Sequence, residues 1–353
     1  MNVTFFIGNG FDLNLGLKTK YTDFYKYYVG QPSSDGDMLV EAIRGNAPKW
    51  SDLEIALGDF TEELQQTDFE AFLNSKEQME EELAHYLAEQ EKRIRITDEK
   101  ATAIEFRNKV ISFYKELNRT WQDDYMDFLR TQTMTVHYAF VNFNYTSTLD
   151  RLIALCQQRI DPFSTHVGGS TRFSDLIDNP LHIHGTLSSG LILGVDAETQ
   201  IKNLEMRKDA DISNYFVKPS INKASGEKRT ETCKKIIDQS QYICLYGLSC
   251  GATDQIWWKY ILEWLKKGTS NRLVIYVHSD NSRSPSAGRE LRMIDNIKYF
   301  FKRQSLCSDE DFAKIRGRIA VVFNSNIFSL TNIAVLSDEQ LLAEEKEQLV
   351  GAV

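Results

Sequence analysis

The sequence predicts an α/β fold built on a mainly parallel, doubly wound sheet, with a large helical insertion after the first strand. Two observations predict this fold. Short apolar segments rich in β-branched and aromatic residues alternate with helical patterns, an order typical of a parallel sheet flanked by helices. Between the first two strand-like segments, the apolar residues of 52–130 recur near helical spacing.

The first strand is predicted at residues 3–7, a branched and aromatic run that leads directly into a glycine turn. Thr19 is expected to cap a helix over residues 21–28. Residues 31–46 carry proline, serine and glycine and are predicted to form a loop. Ser51, followed three residues later by a glutamate, is typical of a capping box. Alternatively, this segment faces a ligand from above.

Strand patterns resume at residues 136–143, 181–184, 191–193, 242–246, 272–278 and 318–323. A helix is predicted at residues 254–267, and its stripe of tryptophans is expected in the core. The acidic stretch 338–348 is either a last surface helix or a frayed end. From this order we predict a discontinuous α/β nucleotide-binding domain (residues 1–30 and 131–335), a helical insertion (31–130) and a C-terminal tail (336–353).

The composition limits the classes of partner. The 353 residues include 41 Lys and Arg against 50 Asp and Glu, a formal net charge of −9. This charge argues against a broad nucleic-acid surface but is compatible with a local basic pocket for one small anion. The five cysteines form no Cys-x-x-Cys pair, so we expect a cytoplasmic protein without structural zinc. The sequence has no apolar stretch of about 18 residues and no signal-peptide pattern at the N-terminus, so no membrane association is predicted.

Four segments place turn chemistry and polar groups after predicted strands, where ligands bind in open α/β sheets. The first contains Gly8, Asn9 and Gly10, followed by Asp12. Two glycines let a ligand approach the backbone closely, and free amides can cradle a phosphate. The alternative interpretation is an ordinary tight turn after a strand.

The second segment runs from Asn142 and includes Asn144, Thr146 and Ser147. Its asparagine and threonine side chains are suited to orienting a sugar hydroxyl or a water molecule. The alternative is a helix N-cap formed by Thr146 or Ser147.

The third segment contains His182, His184 and Gly185. If it is a strand, both histidines point to the same face, because side chains alternate along a strand. A histidine at a strand end can act as a base near neutral pH. A structural role, or a pair of metal ligands, is the alternative, but the sequence offers no third ligand at a recognisable spacing.

The fourth segment contains Gly247, Ser249, Cys250 and Asp254. It again combines a glycine turn and hydroxyl groups with a carboxylate at the start of a helix. Asp254 is either a ligand contact or only a helix cap. A nucleophilic role for Cys250 is disfavoured, because the sequence marks no base dedicated to it.

Together these segments carry a family resemblance. The strings IGNGFDLNLGLKTKYTDFYKYY, WSDLE, FNYTSTLD, HIHG and YGLSCGATD occur in this order. They resemble the AbiH family of bacterial phage abortive-infection proteins, from Phe5 to about Trp258. That family in turn is similar to the Rossmann-like, sirtuin-like NAD-binding fold. The chain lacks the paired cysteines of the deacetylating sirtuins, so the resemblance does not extend to protein deacetylation.

The resemblance implies roles for individual residues. Asn144 matches the asparagine that positions ribose or water, and His184 matches the histidine that acts as general base. These two are therefore the expected catalytic residues. The resemblance and the four segments together give the expected nucleotide contacts: Gly8, Asn9, Gly10, Asp12, Thr146, His182, Gly185, Gly247, Ser249 and Asp254.

The resulting hypothesis is an anti-phage effector that binds NAD and hydrolyses its nicotinamide–ribose bond, without a metal. Two alternatives stay open. One is a nucleotide-sensing module that binds without cleaving. The other is a metal-dependent nuclease or phosphodiesterase toxin that uses Asp12, Asp254 and the two histidines. An effector of this kind is expected to have an off state, so a homo-oligomer and a phage-derived or protein trigger are plausible partners.

Overall fold

The computed structural model describes residues 2–31, 36–131, 135–159, 165–168, 171–279 and 286–351. The strands are β1 (Asn2–Ile7), β2 (Ile94–Ile96), β3 (Val136–Asn142), β4 (Thr165–Gly168), β5 (Thr171–Ile177), β6 (Leu181–His182), β7 (Gly185–Thr186), β8 (Gly190–Leu191), β9 (Ser240–Tyr246), β10 (Arg272–Val277), β11 (Ile319–Phe323) and β12 (Ile333–Val335). The helices are α1 (Gly10–Asn14), α2 (Tyr21–Tyr28), α3 (Met38–Asn46), α4 (Leu53–Phe60), α5 (Phe69–Glu91), α6 (Glu99–Ile111), α7 (Arg119–Thr131), α8 (Thr148–Arg159), α9 (Leu204–Lys208), α10 (Ala210–Phe216), α11 (Lys218–Ala224), α12 (Arg229–Gln239), α13 (Gln255–Lys267), α14 (Ala287–Gln304), α15 (Asp309–Ile315) and α16 (Asp338–Gly351).

An eight-stranded sheet forms the centre of the fold, in the order β11-β10-β9-β1-β3-β5-β4, with β6 beside β3. The first strand occupies the middle, since Phe5 of β1 lies opposite Phe140 of β3 on one side and Cys244 of β9 on the other, both in parallel. Among the described pairs of this sheet, β4–β5 is the antiparallel one. The predicted fold class, a mainly parallel Rossmann-like α/β sheet, is therefore confirmed.

Helices cover both faces of the sheet. Since successive residues of a strand point to opposite sides, each strand contacts helices on both faces. Phe5 packs with Phe106 of α6 in one apolar cluster. Its neighbour Phe6 faces the other way, into a cluster that contains Ile237 of α12 and Trp258 of α13. All three tryptophans of α13 are buried, so their predicted place in the core is confirmed. Parallel strands covered on both faces explain why β1 is an almost continuous apolar run.

The chain between β1 and β3 is mostly helical, as predicted, but it also contains β2, which pairs antiparallel with β12. Helices α2 to α5 form a third apolar cluster that includes Phe216 of α10. Phe106 of α6 instead packs on the sheet, its ring 6.3 Å from that of Phe140. The helical segment and the sheet thus share a core, and the domain boundaries given above stay a prediction.

Three local predictions in this region are wrong. Of the loop predicted at 31–46, residues 32–35 lie outside the described residues, and 38–46 form α3, because the Asp37 carboxylate accepts hydrogen bonds from two helical amides. Helix α2 has Lys20 rather than Thr19 at its N-cap, since the Thr19 hydroxyl is bonded to Asn9. Helix α4 is capped by Asp52 rather than Ser51, because the Asp52 carboxylate accepts from the first turn.

The later strands also differ in detail from the prediction. The strand expected at 181–184 ends at His182, and the one expected at 191–193 is the two-residue β8. The strands β2, β4, β5, β7 and β12 were not predicted, because each is short or lacks an apolar run. Of the two alternatives for 338–348, the helix is correct: Asp338 begins α16 and pairs with Arg93. Within the described residues, helices of the length and apolarity needed to span a membrane are absent.

Candidate functional site

One cavity of about 970 Å³ opens where several strands of the sheet end. Its walls include the residues that follow β1, β3, β9, β10 and β11. Of the predicted site residues, those that line it are Gly8, Asn9, Gly10, Asn144, His184, Gly247, Ser249 and Asp254. Asp12, Thr146, His182 and Gly185 are not among the lining residues. The four segments therefore do converge, but four of the twelve predicted site residues are not among those that line the cavity.

The glycine turns after β1 and β9 pack directly on each other. The Gly10 amide donates to the Gly247 carbonyl over 2.9 Å, and the Gly8 amide donates to the carbonyl of Tyr246 over the same distance. A Cβ atom on Gly10 would lie 2.4 Å from Cα of Gly247, whose φ is +69°. Glycine is needed here because two backbones touch. The expectation of free amides is therefore wrong for Gly8 and Gly10.

Asn9 and Asn144 brace the same turns with their side chains. The Asn9 amide group donates to the Thr19 carbonyl over 2.9 Å, and its oxygen accepts from the Thr19 hydroxyl. This fixes the segment that carries the exposed Lys18 and Lys20 at the cavity rim. The Asn144 Nδ2 atom donates to the Gly8 carbonyl over 3.2 Å. Both asparagines thus hold the cavity wall in shape.

Asp12 and Thr146 form a buried link behind the turns. The Thr146 hydroxyl donates to Oδ2 of Asp12 over 2.7 Å, and both residues are buried. Burial raises the pKa of Asp12 to about 7, although the Thr146 hydrogen bond opposes that shift. Since neither residue lines the cavity, the structure assigns this pair to the support of the turns after β1 and β3.

His182 and Gly185 contact the neighbouring backbone and are not among the residues that line the cavity. His182 ends β6, and its ring nitrogens lie 3.0 Å from the Asn144 carbonyl oxygen and 3.0 Å from Oδ2 of Asp150. Gly185 has a φ of +78°, and a Cβ atom there would lie 2.0 Å from the carbonyl oxygen of Gly190 in the neighbouring strand β8. Because the strand stops at His182, the predicted alternation does not extend to His184.

His184 is paired with a different carboxylate, at the start of α13. Its Nε2 atom lies 3.1 Å from Oδ1 of Asp254. The neighbouring Lys218 ammonium and the His184 ring hold the pKa of Asp254 well below its usual range. Burial, together with the Lys218 charge, lowers the pKa of His184. Asp254 occupies the N-cap position of α13, yet its side chain accepts no capping hydrogen bond and binds His184 instead.

The other ring nitrogen of His184, Nδ1, is buried and has no hydrogen-bond partner among the described residues. The ring stands edge to face against Phe143, with centroids 5.3 Å apart. A buried polar atom without a partner is costly, by about 1–3 kcal/mol, and such atoms mark places where a ligand or water binds. The His184 ring is therefore held on one side by Asp254, and its buried Nδ1 atom is left without a protein partner among the described residues.

Lys218 is the central cation of the site, and no sequence pattern predicted it. The residue is 3% exposed. Its Nζ atom donates to Oε2 of Glu54 over 2.8 Å, to the Thr253 carbonyl over 2.7 Å and to Oδ1 of Asp254 over 3.2 Å. The bridge between Val195 and the preceding Val217 sets the position of Lys218. A lone lysine in an unmarked segment gives no sequence signal.

Glu54 and Asp52 bring the helical segment into the cavity wall. Burial raises the pKa of Glu54 to about 8, against the opposing effect of Lys218. Burial likewise raises the pKa of Asp52. The alternative in which this segment faces the ligand region thus agrees with the geometry, because both carboxyls line the cavity.

The remaining candidates are less suited to chemistry. Burial raises the pKa of the Cys250 thiol to about 12, which disfavours the reactive thiolate. Across the described residues, no group of three or more His, Cys, Asp or Glu side chains is arranged to hold a metal ion. The four side chains of the metal-dependent alternative are divided among separate partners: Asp12 with Thr146, His182 with Asp150, and His184 with Asp254.

Comparison with known proteins identifies the family of this chain. The family model described as Bacteriophage abortive infection AbiH matches residues 4–276, which is more than half of the chain and contains the whole His184–Asp254–Lys218 cluster. Comparison with curated proteins gave no match. The similarity to sirtuin-like enzymes stays a prediction. The chain belongs to the AbiH family of bacteriophage abortive-infection proteins.

Proposed function

We propose that this protein acts in abortive infection by hydrolysing the nicotinamide–ribose bond of NAD. Its family implies the abortive-infection role. The observation that carries the proposed reaction is the Asp254–His184 pair in the cavity, with one ring nitrogen left without a protein partner. Loss of NAD would stop metabolism in an infected cell, a suitable end for an abortive-infection response.

The pair supplies a base in the correct protonation state. An ionised Asp254 can only accept a hydrogen bond, so the proton of the neutral His184 ring lies on Nε2. Nδ1 is then the acceptor, free to take a proton from water or from a ribose hydroxyl. The lowered pKa of His184 keeps the ring neutral at pH 7. General-base catalysis of this kind contributes about 10²–10⁴ in rate.

The charges around the cavity suit the two ends of NAD. Lys18 and Lys20 on the rim are available to the diphosphate, which the chain as a whole, at a net charge of −9, would repel. Asp52 and Asp254 line the same cavity, where an ionised carboxylate would favour the cationic nicotinamide ring. Asn144, whose side-chain amide is bonded to the Gly8 carbonyl, would orient the ribose or the attacking water. The volume of about 970 Å³ is at the upper end of the range for small-molecule sites.

The test is release of nicotinamide from NAD by the purified protein, alone and with phage lysate in case a trigger is needed. We expect release, and a loss of about 10²–10⁴-fold in His184→Gln. The matched control is His137→Gln, which removes a partly exposed histidine from a comparable pair with Asp178, 3.2 Å away and outside the cavity. Undiminished release after His184→Gln would contradict the assigned base. Saturable binding of NAD without release would favour the nucleotide-sensing alternative.

A further inference from the structure

Lys218 forms ion pairs with two carboxyl groups that come from distant parts of the chain. Glu54 comes from α4, in the helical segment after the first strand, and Asp254 stands at the start of α13. The Lys218 Nζ atom lies 2.8 Å from the first and 3.2 Å from the second. Side chains of Glu54 and Asp254 are 7% and 17% exposed, so water screens these charges poorly.

The net charge of this buried cluster determines which of the two carboxyl groups, Glu54 or Asp254, keeps a proton. Two carboxylates against a single ammonium would leave an excess negative charge in a buried site, which is unfavourable. Asp254 also accepts from His184 and is the better stabilised anion. Glu54 lacks this second donor, and burial raises its pKa to about 8. Two carboxyls whose pKa values are pushed in opposite directions are the pattern of an acid and a base in one site.

We propose that Glu54 is a further catalytic residue, the proton donor to the departing base, and that the site consequently cleaves N-ribosyl nucleotides with a neutral base as well as those with a cationic one. The inference rests on the proposed function, because His184 remains the group that activates water. Glu54 lines the same cavity as His184, which is the geometric requirement for both to reach one substrate.

The step balances as a simple hydrolysis. The bond between C1′ of the ribose and the ring nitrogen breaks, and its electron pair passes to the nitrogen. The carboxyl proton of Glu54 moves to the departing base. Water adds to C1′ while its proton passes to Nδ1 of His184. Solvent then returns a proton to Glu54 and removes one from His184.

The leaving base distinguishes this inference from the proposed function. Nicotinamide departs from NAD as a neutral molecule without being protonated, whereas adenine departs as an unstable anion unless an acid supplies a proton. Diadenosine diphosphate is the matched probe, since it has the dinucleotide frame of NAD with adenine in place of nicotinamide. We therefore expect the protein to release adenine from diadenosine diphosphate under the conditions used for NAD.

Glu54→Gln is the informative variant, because glutamine keeps the size of the side chain and an oxygen for Lys218 but has no acidic proton. We expect it to lower adenine release about 10²–10⁴-fold and to lower nicotinamide release from NAD by a clearly smaller factor. Glu80→Gln is the matched control. Glu80 accepts from Lys76 over 2.8 Å in a second partly buried lysine–glutamate pair, and it is not among the cavity-lining residues.

The outcomes separate the two proposals. Release of nicotinamide without any release of adenine by the unchanged protein would overturn the role of Glu54 and leave the proposed function standing. Release of adenine without nicotinamide would overturn the proposed reaction on NAD and the claim that one site cleaves both kinds of nucleotide. An equal loss of both activities in Glu54→Gln, with an unchanged melting temperature, would reduce Glu54 to a positioning residue and overturn the inference. Release of neither base would contradict both.

Discussion

Gly10 and Gly247 come so close that a Cβ atom on Gly10 would lie 2.4 Å from Cα of Gly247. We predict that Gly10→Ala destabilises the protein by about 2–3 kcal/mol, because the added methyl group meets backbone that cannot rotate away. Urea denaturation measures the change. Nucleotide binding by the variant should be compared only at temperatures where it remains folded.

The matched control for that substitution is Gly288→Ala in α14. A Cβ atom at Gly288 meets no described atom within 4 Å, and a helical position favours alanine over glycine. The control should therefore be neutral or stabilising by up to about 1 kcal/mol. A similar loss of stability in both variants would contradict the close-packing explanation.

Asp254→Asn tests the orientation of His184. An asparagine amide can donate to Nε2, which would place the ring proton on Nδ1 and remove the proposed base. We predict a loss of nicotinamide release of about 10²–10⁴-fold, with the protein still folded. Asp178→Asn makes the same change in the partly exposed His137 pair and should leave release unaltered. Full activity in Asp254→Asn would show that this carboxylate does not set the tautomer.

Lys218→Met should be strongly destabilising, by about 3–5 kcal/mol near pH 8, because Glu54 and Asp254 lose their shared cation. Without the lysine, the folded-state pKa of Asp254 rises above its unfolded value. The folded protein then holds protons that the unfolded chain has released, so the deficit grows as pH increases. Urea denaturation of both proteins at pH 5 and pH 8 measures this, and a deficit that is equal at the two values would rule it out.

Asp12→Asn should change the pH dependence of stability. The folded-state pKa of Asp12 is about 7, whereas its ordinary value is 3.8. Between these values folded Asp12 keeps its proton and unfolded Asp12 loses it, so this residue makes the unchanged protein less stable as pH rises. Asparagine cannot titrate. The stability of the variant relative to the unchanged protein should therefore increase by up to about 1.4 kcal/mol per pH unit from pH 4 to pH 7 and then level off. A difference that is constant with pH would contradict a proton on Asp12.

The sequence was informative about the cavity-lining residues that directly follow a strand. Gly8, Asn144 and Gly247 each come directly after a buried apolar run or within two residues of one, and parallel strands bring such positions to one edge of a sheet. This is why the convergence of the four segments could be anticipated. The exclusion of Asp12 and Thr146 from the cavity could not, because spacing along the chain does not tell which face of a turn a side chain takes.

Lys218 and the role of Glu54 lay beyond sequence reasoning for a different reason. Both depend on contacts between segments far apart in the chain. Lys218 lies in no local motif, and the motif around Glu54 predicted a capping box or a segment facing the ligand but no charge partner. The α3 helix was missed because proline, serine and glycine just before it suggested a loop, whereas the Asp37 cap decides where the helix begins. Local signals thus located the turns, while packing between distant segments determined the charge cluster.

The central position of β1 has a consequence for the cell that makes this protein. β1 pairs with β3 and β9, and β9 follows it by more than 230 residues, so the second neighbour of β1 does not yet exist when β1 leaves the ribosome. The cavity wall runs from Gly8 to Ser325, and Asp254 and the turn at Gly247 arrive late in synthesis. A nascent chain therefore cannot complete the cavity wall before Ser325 has been synthesised, so whatever reaction the site performs cannot begin earlier.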